Sequence, residues 1–211
     1  VMPPTSAIYA EDGSYNFDLP MYNDINPLAY AFDKNTYDEH FKLNGVMYLE
    51  WKPIKQLTCK SNNSIELLFS RNYSFEPGYM TTTNENVVAG GNSQYRSITT
   101  SNTAVYEDNF NEEHFLRVLA GHEYSYTKSM GDSYQARNVN ELLPFPDNAP
   151  QSTYLLAYSS VESKLLSFFG VADYNYRQKY YFQASVRADG SSLFGQNRRW
   201  GAFWSVGASW N

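Results

Sequence analysis

Apolar and polar residues alternate with a period of two over segments of about 10 to 15 residues, and a 3.6-residue repeat is almost absent. From Tyr180 to Asp189, one column holds Tyr180, Phe182, Ala184, Val186 and Ala188. The other holds Tyr181, Gln183, Ser185, Arg187 and Asp189. The last segment repeats the pattern, with Trp200, Ala202, Trp204, Val206, Ala208 and Trp210 against Gly201, Ser205, Gly207, Ser209 and Asn211. Phe168, Gly170, Ala172, Tyr174 and Tyr176 oppose Ser167, Asp173 and Asn175. Phe41, Leu43, Met47, Leu49 and Trp51 oppose His40, Lys42, Asn44, Tyr48 and Glu50. Leu116, Val118, Ala120, His122 and Tyr124 make a weaker stripe. Such columns are the two faces of β-strands. Ordinary strands run about 5–6 residues; these are long enough to cross a bilayer obliquely.

The connections alternate in length. Lys52–Gln56, Asn109–Glu113 and Arg177–Lys179 are short, whereas 75–93, 129–159 and 190–199 are long and polar. Short turns at one end and long loops at the other are the layout of an outer-membrane barrel. Aromatics gather near strand ends (Trp51, Tyr174, Tyr176, Tyr180, Tyr181, Trp200, Trp210), as interfacial girdles require. The predicted strands lie at about 37–51, 56–74, 94–109, 114–128, 161–176, 180–189 and 200–211. The fold class expected is all-β, the antiparallel up-and-down strands of a transmembrane β-barrel. Residues 1–36 read as turn-rich, with Glu11-Asp12-Gly13-Ser14 a tight turn. Seven is odd, whereas bacterial single-chain barrels close with even numbers, and both edges of such a sheet would be open, which lipid does not tolerate. The chain, 1–211, therefore reads as a portion of a larger barrel with no plug domain, about a third of the wall.

Composition fits that reading and removes others. Charged residues are 18% against about 25% in soluble domains, while aromatics reach 17% with 19 tyrosines. A net charge of −6 and a pI near 5.1 argue against a nucleic-acid module. One cysteine, Cys59, excludes a disulfide framework and a Cys-based zinc site. No run approaches the ~18 apolar residues of a membrane helix, and Val1-Met2-Pro3-Pro4 does not begin a signal peptide. A β-barrel carries neither signal in that form.

Several segments match a known family. Arg187-Ala188-Asp189-Gly190-Ser191-Ser192-Leu193-Phe194-Gly195, then Asn197-Arg198-Arg199-Trp200-Gly201 and Ser205 to Trp210, resembles a signature of the SusC/RagA-type TonB-linked outer-membrane receptors of Bacteroidetes. Ser167–Tyr176, Val118–Glu123, Tyr48–Trp51 and Asn26-Pro27-Leu28 resemble further strands and an upstream segment of that family. Ala188, Leu193 and Trp204 depart from its pattern without breaking the alternation. The resemblance implies an outer-membrane receptor that imports oligosaccharides or peptides by TonB-dependent active transport. It also implies a SusD-like surface lipoprotein as partner, and a TonB energy-transducing complex acting through parts of the parent chain not present here. No catalytic residue, metal or cofactor is expected.

The residues of the motif have a physical logic of their own. Arg187 and Asp189 face the lumen if Phe182 and Val186 face lipid, where an Arg would cost about 2–4 kcal/mol near the midplane. Gly190 suits a sharp turn with φ > 0, and Ser191 and Ser192 suit local backbone hydrogen bonds. Phe194, Gly195, Arg199, Trp200 and Gly201 complete the motif, which orders a strand-to-loop transition or, on the functional alternative, touches substrate. Tyr79, Tyr95, Tyr134, Phe145 and Tyr154 are candidate ligand-contacting loop aromatics; packing of loop on loop or on a partner uses the same rings. Leu142–Pro150 reads as a rigid Pro-rich loop, and Gly90-Gly91 as a flexible loop element rather than a phosphate cradle. Glu112-Glu113 reads as solvated turn charge. His114 and His122 share a strand face about 26 Å apart, too far for one metal. The rival to a barrel is a soluble all-β carbohydrate-binding or adhesion module using the same aromatics.

Overall fold

The computed structural model describes residues 7–17, 26–81, 83–195 and 199–211. A short helix, α1 (Pro27–Phe32), precedes seven strands: β1 (Asn35–Ile54), β2 (Leu57–Glu76), β3 (Val87–Phe110), β4 (His114–Arg137), β5 (Leu155–Tyr176), β6 (Tyr180–Ser191) and β7 (Trp200–Trp210). They form one sheet in chain order, with β1 and β7 at its edges. The all-β, up-and-down expectation holds, as does the alternation of short and long connections. The ladders run further than the hydrophobic pattern does. Strands β2 to β5 extend through polar sequence, so the two longest connections shrink to 77–86 and 138–154. Backbone pairing needs no apolar side chain, which is why sequence alternation underestimates strand length.

The chain divides into two compact units. One comprises Val1–His40, Phe69–Ser93 and Gly131–Ser159; the other comprises Phe41–Leu68, Gln94–Met130 and Ser160–Asn211. In the second unit, β5, β6 and β7 are antiparallel and in register. Their even-numbered positions form an apolar face in which large residues lie beside small ones. Phe168 is beside Ala188, Gly170 beside Val186, Phe182 beside Ala208 and Gly190 beside Trp200. That face is open: Phe182, Val186, Trp204, Val206 and Trp210 are all more than half exposed. None of the unit's described residues is a buried hydrophobic.

The short turns show how this sheet is closed at one end. Asn111 and Glu112 have φ of 52° and 57°, and Arg177 and Gln178 of 51° and 52°. Two consecutive left-handed residues are the mark of a type I′ hairpin turn, whose twist matches that of the strands. None of the four is Gly, so both turns are held from outside. The Arg177 amide donates to the Glu113 carbonyl at 2.7 Å, and the two side chains pair at 2.8 Å. The β1–β2 turn contracts to Lys55-Gln56, because β1 continues through Pro53. Proline is tolerated there since β1 is an edge strand.

The first unit contains the buried hydrophobic residues found among the described ones. Phe75, Val88, Ala136, Val139 and Ala149 cluster, with Tyr73, Tyr134 and Tyr154 packed on them. The Glu11–Ser14 turn forms as expected: Ala10 N–H donates to the Ser14 carbonyl at 2.8 Å, with Gly13 at φ 84°. Helix α1 is an element that the turn-rich reading of this region did not include. Buried Asn26 caps it by accepting from Leu28 N–H at 3.0 Å, and Pro27 stands where its missing donor is harmless. At six residues the helix is too short to leave a 3.6-residue pattern. Gly90 and Gly91 are not loop residues but part of β3. A Cβ on Gly91 would lie 2.3 Å from the Asp132 carbonyl oxygen, and one on Gly90 would lie 2.5 Å from the Tyr134 hydroxyl. Close backbone approach, not flexibility, requires glycine there.

Candidate functional site

Within β5 and β6, Ser167 pairs with Asp189, and Phe169 with Arg187, on the odd-numbered face. The Arg187 Nε donates to Asp189 Oδ1 at 2.8 Å and Oδ2 at 3.0 Å, and an Nη donates to Ser167 Oγ at 3.0 Å. Its guanidinium lies 5.5 Å from the Phe169 ring centroid. Ser167 is fully buried beneath this group. Alternation thus places Arg187 and Asp189 opposite Phe182 and Val186, and the charge is balanced within the cluster.

The rest of the motif organises the strand end. Gly190 is not at a turn and has no left-handed φ. It pairs with Leu166 and Trp200 inside the sheet, and a Cβ would sit 2.8 Å from the Trp200 ring. The glycine makes room for that indole, which stacks on Phe168 with ring centroids 6.2 Å apart. Ser191 Oγ accepts from Leu193 N–H at 3.2 Å, and Ser192 Oγ accepts from Lys164 N–H at 2.8 Å. The Arg199 carbonyl accepts from Ser191 N–H at 2.9 Å, and Gly201 pairs with Asp189. Phe194 is exposed and Gly195 has open space around it. Asn197 and Arg198 lie outside the described residues.

A second polar row escaped the sequence reading. Arg117 on β4 pairs with Glu107 of β3 and Asp173 of β5, each at 3.0 Å, and Gln183 of β6 donates to Asp173 Oδ1 at 2.7 Å. Four strands are thereby tied across one face, beside a recess of about 510 Å³ that Asp173, Gln183, Tyr181 and Phe115 line. These residues lie far apart in sequence, and only strand register brings them together. The odd-face periodicity of Asp173 and Gln183 was the one available signal.

The five candidate aromatics part company. Tyr95 is in β3 and Tyr134 in β4, not in loops. Tyr134 and Tyr154 pack on the small core, and the Tyr154 hydroxyl donates to the Pro146 carbonyl. Tyr79 donates to an Asp33 carboxylate oxygen, with its ring 5.9 Å from that of Phe17. Desolvation, then the Asp33 hydrogen bond, holds the Tyr79 hydroxyl well above the usual tyrosine range. Phe145 is left exposed on the Leu142–Pro150 segment, which contains the 3₁₀ turn Pro146–Asn148 and is fastened by Tyr73 donating to the Pro144 carbonyl at 2.8 Å. The Tyr134 and Tyr154 rings thus fill the space between strand and loop.

No group of three His, Cys, Asp or Glu side chains among the described residues could hold a metal ion. His114 Nδ1 is hydrogen-bonded to the Tyr174 hydroxyl at 2.6 Å, and His122 Nε2 to Asn102 at 3.3 Å. Glu113 is tied to Arg177, whose hydrogen bond holds its carboxyl below the usual glutamate range.

No family model matches the chain. Two TonB-dependent receptors of Formosa agariphila are each 28% identical to it, over 98% and 99% of its length. The chain spans about a fifth of those relatives, 22% and 21%. Among solved structures, the RagAB peptide transporter superposes with a TM-score of 0.80 at 25% identity, covering 93% of this chain and 23% of that one. The RagAB peptide importer in its closed-closed state gives 0.81 at 25% identity, covering 98% and 24%. The resemblance to SusC/RagA-type TonB-linked receptors thus holds in both sequence and structure, and with it the barrel-type strand architecture and the outer-membrane location.

Proposed function

We propose that residues 1–211 are a portion of the barrel wall of a TonB-dependent outer-membrane receptor, and that the parent protein imports oligosaccharides or peptides. The observation that carries this reading is the second unit's sheet, which has an exposed apolar face and no buried hydrophobic residue among those described. Such a face in water would be an aggregation site; against acyl chains it is satisfied. The 11 residues of β7 run from Trp200 to Trp210. At about 3.3 Å per residue and a tilt of about 40°, the two indoles bracket a height of roughly 25 Å, that of a barrel's apolar band. The short turns then face the periplasm and the long connections the outside. Seven strands are about a third of a 22-stranded outer-membrane transporter.

The polar face, with Arg187, Asp189 and the Glu107–Arg117–Asp173–Gln183 row, lines the lumen. A SusD-like surface lipoprotein would cap the long-loop end, and the TonB complex would engage parts of the parent outside this chain. Capture and release need no covalent chemistry, so the parent is a transporter rather than an enzyme. The rival, a soluble carbohydrate-binding or adhesion module, has no use for an uncovered apolar sheet face.

The test is made on the full-length parent. Purified in detergent, it is expected to migrate differently on a gel before and after boiling, and ligand uptake by cells is expected to stop when the proton gradient is collapsed. A parent that is soluble without detergent and insensitive to boiling would sink the proposal.

A further inference from the structure

The apolar face of β5 continues across β4 and β3. The His122 ring stands 6.2 Å from that of Phe168, and His122 Nε2 is hydrogen-bonded to Asn102 at 3.3 Å. Even-numbered positions of the three strands therefore share one face. Carried toward the long connections, the same register sets Arg96 opposite Lys128, and Lys128 opposite Glu162. The Glu162 carboxylate pairs with Lys164 at 2.8 Å and with Lys128 at 3.9 Å, and accepts from the Tyr126 hydroxyl at 3.3 Å. Ser192 Oγ accepts from Lys164 N–H, and Ser192 N–H donates to the Lys164 carbonyl at 2.9 Å, which fixes that strand position beside β6. Arg96 is exposed, and its side chain has no ion-pair or hydrogen-bond partner among the described residues. The ledge thus holds three cations and one carboxylate. We infer that it binds the phosphate of an outer-leaflet lipid headgroup, a proposal that rests on the barrel-wall reading above.

Position, charge and shape select that ligand. At ~2.5 Å of height per tilted residue, the ledge stands roughly 30–35 Å above the short-turn ends of β3, β4 and β5. That is about 5–10 Å beyond the apolar band, the depth of headgroups rather than of acyl chains. A solute in the lumen meets only the opposite face of the sheet. The guanidinium of Arg96 lacks a carboxylate on a chain of net charge −6, and phosphate oxygens match its fork. Beneath it, Ile98 follows on the same face of β3, with Ile65 across the ladder in the register fixed by Thr100 donating to Asn63 at 2.6 Å. Both isoleucines are exposed and give an acyl chain an apolar bed directly below the charge. A free anion or an acidic peptide would use the cations and leave the isoleucines uncovered.

The experiment uses the full-length parent, delipidated in a neutral detergent. Native mass spectrometry measures its binding of lipid A carrying both phosphates and of the same lipid dephosphorylated. The phosphorylated lipid is expected to bind about tenfold more tightly or better. Arg96→Gln is expected to weaken that binding about fivefold, the effect of one basic residue at a lipid surface. Arg96→Gln combined with Lys128→Gln is expected to weaken it about tenfold or more. Lys42→Gln with Lys60→Gln removes the same charge from the opposite face, where these lysines pair with Glu66 and Glu50, and should leave binding within about twofold. If the ledge double variant loses heat-modifiable migration, Arg96→Gln alone decides, because that side chain has no partner to lose. No preference for the phosphorylated lipid, binding indifferent to Arg96→Gln, or an equal loss in the opposite-face pair would overturn the inference. So would displacement of the lipid by inorganic phosphate or hexaglutamate at the lipid's own concentration, which would assign the ledge to a free anion or an acidic protein segment. Each of these leaves the receptor reading intact while the wild-type parent remains heat-modifiable; a wild-type parent soluble without detergent removes that reading itself.

Discussion

Trp200 occupies the space a side chain on residue 190 would need, with three indole atoms within 3.0 Å of an ideal Cβ. Gly190→Ala is therefore an overpacking change inside a paired strand and should destabilise the parent by about 1–3 kcal/mol in urea unfolding. Gly207→Ala is the control, since a Cβ there meets nothing within 4 Å. Equal effects from the two would show that the indole is not the cause. The identity of Gly190 was legible in the sequence but its reason was not: a glycine after Asp reads as a turn until the partner across the ladder is known. Ser167 carries the same lesson. It sits in a polar column like any solvent-facing serine, yet it is fully buried under the Arg187 guanidinium. Replacing it with alanine removes a hydrogen bond to a guanidinium that solvent still reaches and should cost about 0.5–1.5 kcal/mol by the same measurement. A loss no larger than that of Gly207→Ala would show the hydrogen bond to be idle.

At the scale of elements, the hairpin turns are held in pairs. The Glu113 carboxylate accepts from Arg177, and that hydrogen bond lowers the Glu113 pKa while it raises that of Arg177. A depressed carboxyl contributes stability that is fully present above its unfolded value of about 4.3 and lost as pH falls through the lower folded value. Amide protection factors of the 111–113 and 177–179 turns should be flat above that pH and decline below it. Arg177→Ala should abolish the dependence; protection that still declines identically in the variant would assign it elsewhere. The turn positions themselves were legible as polar breaks between alternating segments. Their coupling was not, because Glu113 and Arg177 are joined only when β4 and β5 are neighbours in the sheet.

At the scale of the whole molecule, the second unit exposes one apolar face and the sheet ends in two unpaired edges. The isolated 211-residue chain is expected to sediment as aggregate in buffer and to disperse only with detergent. A monodisperse, cooperatively unfolding chain in detergent-free buffer would contradict its placement in a barrel wall. The exposed aromatics of the second unit, Trp200, Phe203, Trp204 and Trp210 among them, fit that placement. By itself the sequence determined the class: a period of two over long segments admits only strands with unlike faces, and alternating connection lengths sort those strands into hairpins. It also determined the sign of each face, because alternation is a local property of the backbone. Only the tertiary structure decided which residues of a face meet. Cross-strand register joins Arg117 to Asp173, sets Gly190 against Trp200 and brings Ser93 and Ser159 to the two sides of Gly131. Those contacts depend on relative strand positions, which no pattern along a single strand contains.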